Sequence, residues 1–92
     1  MTEFDYAQRS DGMQRLKTES HTVGMRTTLR AIESGKAELV FLAEDADVFV
    51  TRRVQEACRA MNVAYERVSS MKELGEACGV SVKTACAAIV KQ

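Results

Sequence analysis

A field of one sign is the first thing this chain lacks. Its 92 residues hold 13 Lys and Arg against 13 Asp and Glu. That balance excludes the broad basic surface of many nucleic-acid binders, so any contact with RNA or DNA must be local. Glu3, Asp5 and Asp11 crowd the first twelve residues beside Arg9, which leaves a positive excess of two over Met13 to Gln92. Cysteine is sparse as well. Cys58, Cys78 and Cys86 are odd in number and have no C-x-x-C spacing, which argues against a disulfide framework or a zinc site and for reduced, buried thiols. His21 is the only histidine and has no Cys or His at ligand spacing, so little supports a metal or catalytic role for it. No apolar run approaches the ~18 residues of a membrane span, and no signal-peptide core opens the chain. A Gly-rich phosphate loop, a G-x-S-x-G elbow and internal repeats are absent too. One cytoplasmic domain without cofactor or metal is expected.

What is present is organised around Leu39 to Asp47, LVFLAEDAD. Five apolar residues run without alternation and then meet acids, the pattern of a strand buried on both faces that ends at solvent. Helices must cover both faces. Around it, Ser20 to Val23 reads as a brief extended segment, Arg26 to Glu33 as a helix stopped by Ser34-Gly35, and Phe49 to Met61 as a helix capped by Asp47. Val50, Val54, Ala57, Cys58 and Met61 form the inward stripe of that second helix. Asn62 turns the chain into a strand over Val63 to Val68. Ser70 and Glu73 stand at capping-box spacing for a short helix, Met71 to Cys78, with Gly79 as its stop and Gly75 marking a close packing contact. Thr84 to Val90 fits a buried final strand, although its alanines favour helix.

The alternation implies an α/β fold: a three-layer α/β/α sandwich with a small, mostly parallel mixed sheet of about four strands. Residues 1–19 read as a polar extension, disordered over at least the first dozen positions unless Met13 already opens the compact domain. Residues 20–92 form the domain.

Chemistry concentrates at the first helix. Gly24 precedes it, a residue that lets another backbone approach closely, and the free amides of a first helical turn attract anions. Arg26 and Arg30, four apart, add planar donors suited to phosphate or base edges. An ordinary glycine turn beside a solvated basic face is the plainer reading of the same residues.

Five blocks in order give the chain a resemblance to the ribosomal L-seven-Ae family of kink-turn RNA-binding proteins, especially its short bacterial members. They are V-G-x-x-x-T-x-R-A-I-x-x-G at Val23 to Gly35, A-x-L-V-x-L-A-E-D-A-D at Ala37 to Asp47, the helix with its late Cys58, N-V-x-Y at Asn62 to Tyr65, and L-G-x-A-C-G at Leu74 to Gly79. The resemblance implies a sandwich that grips a sharply bent RNA internal loop. It puts the glycine at Gly24, the residues facing the sheared G·A pairs at Arg26 and Thr27, and a phosphate-binding side chain at Arg30. The loop packing on an extruded base falls on Val68, Ser69, Ser70, Met71 and Lys72. Relatives commonly carry asparagine and glutamate, or lysine and glutamine, where this chain has Arg26 and Thr27. Thr27 is too short to span two base edges.

Three functions follow as alternatives. The first is a non-enzymatic, monomeric module for kink-turn or similarly bent RNA, ribosomal-protein-like, with no membrane or DNA partner. The second is a protein-interaction adapter of the same fold that has lost that recognition. The third is an enzyme using Glu44, Asp45 and Asp47 as metal ligands or an acid/base pair, for which no histidine or nucleophile is in sequence reach.

Overall fold

The computed structural model describes residues 14–91. Its elements alternate as β1 (His21–Val23), α1 (Met25–Glu33), β2 (Ala37–Ala43), α2 (Val48–Met61), β3 (Ala64–Val68), α3 (Met71–Cys78) and β4 (Cys86–Val90). The disorder expected of the first dozen residues lies outside the described ones. Among the described residues, no helix is long and apolar enough to cross a membrane.

Local signals account for most boundaries. Asp47 caps α2, its carboxylate accepting from the Phe49 amide at 2.8 Å, and Asn62 ends that helix in the left-handed conformation (φ 59°). Ser70 caps α3 by accepting from the Glu73 amide at 3.1 Å, and Gly79 closes it at φ 80°. The expected capping box is only half formed, because the Glu73 carboxylate turns to the Ser69 hydroxyl at 2.8 Å. β2 begins at Ala37, two residues earlier than the apolar run announces, and β4 begins at Cys86 rather than Thr84.

The four strands form one sheet in the order β1-β4-β2-β3. The three-layer α/β/α sandwich holds, but the sheet is not mostly parallel. Only β2 and β3 pair parallel; β4 pairs antiparallel with both β1 and β2. The first two crossovers do return each strand in the same direction, and the reversal comes from the segment after α3. Instead of running under the sheet, it climbs back along its own helix. The Val80 amide donates to the Gly75 carbonyl at 3.0 Å, and the Thr84 amide to the Met71 carbonyl at 3.1 Å. The chain therefore enters β4 at the end where β2 and β3 finish. Gly75 permits this path, because a Cβ there would run into the Val82 carbonyl oxygen.

Each face of the sheet has its own core. Val40 and Leu42 of β2, with Cys86 and Ala88 of β4, meet Leu29 and Ile32 of α1 and Val54 and Cys58 of α2. Phe41, Ala43, Ala87 and Ile89 point the other way, onto Leu74 and Cys78 of α3. Consecutive β2 residues thus serve opposite cores, which is why the run has no polar alternation. Leu16 joins the second core at 1 % exposure. Its turn is tied down by Arg15, which bridges Glu19 at 2.8 Å and Glu38 of β2 at 2.6 Å; the Arg15 guanidinium holds the Glu19 carboxyl below the usual range. All three cysteines are free and buried, and desolvation pushes each thiol up to about 11.

Candidate nucleic-acid interface

β1, β2 and β3 all finish at one end of the sheet, where β4 starts, so the sequence-predicted positions fall along a single rim. Gly24 follows β1, and residues 69–72 follow β3. With β4 and β2 between them, they stand about three strand spacings, or roughly 14 Å, apart. Backbone bonds lace this rim together. The Gly24 amide donates to the Cys86 carbonyl at 2.9 Å, Ala43 to Ala85 at 2.9 Å, and Glu44 to Val68 at 2.7 Å.

At one end of the rim, Gly24 has φ 96°, a conformation that L side chains rarely adopt, and the space before its missing Cβ is open for at least 4 Å. It opens α1 without a side-chain cap, and no acid lies in the first turn. The uncapped amides and the helix dipole make that end attractive to an anion. Arg26 and Arg30 are exposed, and among the described residues no hydrogen bond or ion pair takes up either guanidinium. They line a groove of about 310 Å³ between α1 and α2, together with Met25, Leu29, Glu33 and Arg53. Thr27 is exposed but turns inward chemically, donating its hydroxyl to the Val23 carbonyl at 2.8 Å.

Two threonines hold this turn rigid, of which the sequence block V-G-x-x-x-T-x-R marks Thr28 without giving it a role and leaves Thr22 unmarked. Thr28 is fully buried and shares a 2.8 Å hydroxyl contact with Thr22, which accepts from the Ala88 amide at 3.1 Å. The first turn of α1 is thereby fixed to β1 and β4 at once, a role visible only after the strands are paired.

At the other end, the predicted loop divides. Val68 is 1 % exposed and belongs to the core, so it supplies a backbone carbonyl rather than a side chain to the rim. Ser70 is the cap of α3, and Met71 is half-buried against the second core. Ser69 and Lys72 are exposed. Asp45 locks this loop to the end of β2 by accepting from the Met71 amide at 2.8 Å. With Asp47 capping α2, two of the three acids considered for catalysis do structural work, and among the described residues no cluster of His, Cys, Asp or Glu could hold a metal. Beside the loop, a recess of about 370 Å³ is lined by Ala43, Glu44, Val48, Thr51, Gln55 and Arg67.

Comparison with known proteins decides the kinship. The model of the ribosomal protein L7Ae/L30e/S12e/Gadd45 family matches residues 9–92. The chain belongs to that family. An RNA-binding protein of Geobacillus sp. (strain WCH70) is 42 % identical over 76 residues, covering 83 % of this chain and 93 % of the relative. The RNA-binding protein YbxF of Geobacillus stearothermophilus is 41 % identical over 69 residues, or 75 % and 84 % of the two chains. Among solved structures, the Giardia lamblia 15.5kD RNA binding protein superposes with a TM-score of 0.77 at 32 % identity, covering 98 % of this chain and 74 % of that one. A Bacillus halodurans protein of unknown function shares the fold alone, with a TM-score of 0.73 at 19 % identity over 86 % and 77 % of the chains.

Proposed function

We propose that this family member binds RNA as a non-enzymatic, monomeric cytoplasmic module, gripping a kink-turn or similarly bent internal loop, in the manner of a ribosomal protein. The observation that carries the reading is the start of α1. An open Gly24 and uncapped helical amides stand at the start of the helix that carries Arg26 and Arg30, neither of them paired among the described residues. A bent RNA concentrates phosphates and opens base edges at its kink, so such a surface recognises it by shape without a global positive field. Names borne by the relatives, RNA-binding proteins in bacteria and in Giardia lamblia, agree with it.

In this reading the helix end and Arg30 take phosphate, Arg26 reaches a guanine edge, and Ser69 and Lys72 approach an extruded nucleotide over the recess beside Arg67. Recognition of G·A pairs rests on Arg26, since the Thr27 hydroxyl is committed to Val23. That commitment is also what favours the second reading, an adapter of the same fold that binds protein. Salt separates the two: binding through several phosphates weakens steeply with ionic strength, whereas an apolar protein interface does not. Arg26→Ala and Arg30→Ala are expected to weaken kink-turn binding by roughly 1 to 3 kcal/mol each while leaving the melting temperature nearly unchanged. Filter binding and thermal denaturation of the same preparations check both halves; parent-like affinity in both variants would contradict the proposal.

A further inference from the structure

The α1 groove does not end on α1. Its far wall is Arg53 of α2, which stands with Arg26 and Arg30 around the same groove. Glu33 is the one acid in its lining, and among the described residues no ion pair or hydrogen bond takes up any of the three guanidiniums, so the groove keeps a positive excess. Four residues before Arg53, and therefore on the same face of α2 one turn nearer the rim, lies Phe49. Phe49 is 75 % exposed, more than any other large apolar residue described. An aromatic ring left in water one helical turn from an arginine of a basic groove is a combination by which proteins hold unpaired nucleotides, with the ring stacking on a base and the cations on its phosphates.

A protein partner suits this surface less well. Phe49 and its exposed neighbour Val48 offer a small fraction of the ~800 Å² per partner that a stable protein interface buries. Arg52 and Arg53 come three and four residues after Phe49 on the same helix, so the apolar spot carries a basic border. Val48 itself faces the other way, into the recess beside Arg67. Phe49 lines neither hollow and stands exposed one turn along α2 from Arg53.

We propose that α2 carries a second strip of the RNA footprint, in which Arg53 continues the phosphate contacts of Arg26 and Arg30 and Phe49 stacks on an unpaired base next to them. This rests on RNA binding at the start of α1, and the strip would lengthen the contacted strand beyond the kink itself.

The test uses the full chain and a kink-turn RNA with its unpaired loop, comparing the parent with Arg30→Ala, Arg53→Ala, Phe49→Ala, Phe49→Leu and Phe49→Trp at several salt concentrations. Phe49→Ala and Phe49→Leu are expected to lose between about fivefold and a hundredfold in affinity, and Phe49→Trp to retain it. Arg53→Ala should flatten the slope of log affinity against log salt by about one. The high exposure of Phe49 lets melting temperatures verify that the fold is intact. If Arg30→Ala weakens binding while the Phe49 and Arg53 variants behave as the parent, the second strip is overturned and the primary site stands. If Phe49→Leu binds as well as Phe49→Trp, stacking is overturned. If the parent does not bind the RNA at all, the strip and the proposed function fall together.

Discussion

Thr84 is the residue whose environment contradicts its chemistry most directly. It is 2 % exposed, and its hydroxyl finds no partner among the described residues, so an unmade hydrogen bond is carried inside the fold. Thr84→Val keeps the shape and removes the stranded group. It is expected to stabilise by about 1 kcal/mol, raising the melting temperature by roughly 4 to 8 °C in a domain of this size; a lowered melting point would mean that the hydroxyl is satisfied in solution. The cysteines make a second residue-scale prediction. Burial lifts each thiol from 9.0 to about 11 in the folded state, so the native chain holds these protons more tightly than the unfolded one. Their contribution is full below about pH 9 and is lost as pH rises toward 11. Urea titrations should show stability declining across that window, with thiol reagents at pH 8 modifying the protein only as fast as it unfolds. Single residues also mark where the sequence stopped being informative. Thr22 looks like an ordinary polar residue, and Thr28 is a motif position without a role, until β1, β4 and α1 meet, and nothing in V-S-S-M-K tells that Val68 points inward while Ser69 points out.

At the scale of elements, the caps and stops were readable because they are local. Asp47, Asn62, Ser70 and Gly79 act on backbone within a few residues of themselves, and each does what its chemistry predicts. Strand direction was not readable. Alternating strands and helices imply parallel neighbours when every crossover passes beneath the sheet, but whether α3 is followed by such a crossover or by a return along itself depends on contacts between residues 71–75 and 80–84. Gly75 was the one visible trace of that return, as a glycine whose cost of about 1 kcal/mol against alanine inside a helix needs a reason. Gly75→Ala is therefore expected to destabilise by about 1 to 3 kcal/mol despite the gain in helix propensity, because the new Cβ meets the Val82 carbonyl and backbone must move. Chemical denaturation measures this; a stabilised variant would show that the segment 80–84 yields freely.

At the scale of the fold, the sandwich gathers a local group of arginines from a chain of neutral composition. Arg26, Arg30 and Arg53 gather around one groove, while Asp45 and Asp47 turn their carboxylates to helix caps at the same end. A formal charge of zero therefore coexists with an exposed basic edge, which is what recognition of a local kink requires and what attraction to nucleic acid in general does not supply. A clamp of the proposed kind would shift an RNA toward the bent form only by as much as it binds that form better. The decisive measurement is binding of the purified chain to a short kink-turn RNA and to a matched duplex lacking the G·A pairs, at two salt concentrations, with bending followed by fluorescence transfer between the RNA ends. Tighter, salt-sensitive binding to the kink-turn is expected, with a rise in transfer as the RNA folds around the protein. Equal affinity for both RNAs without bending would contradict it.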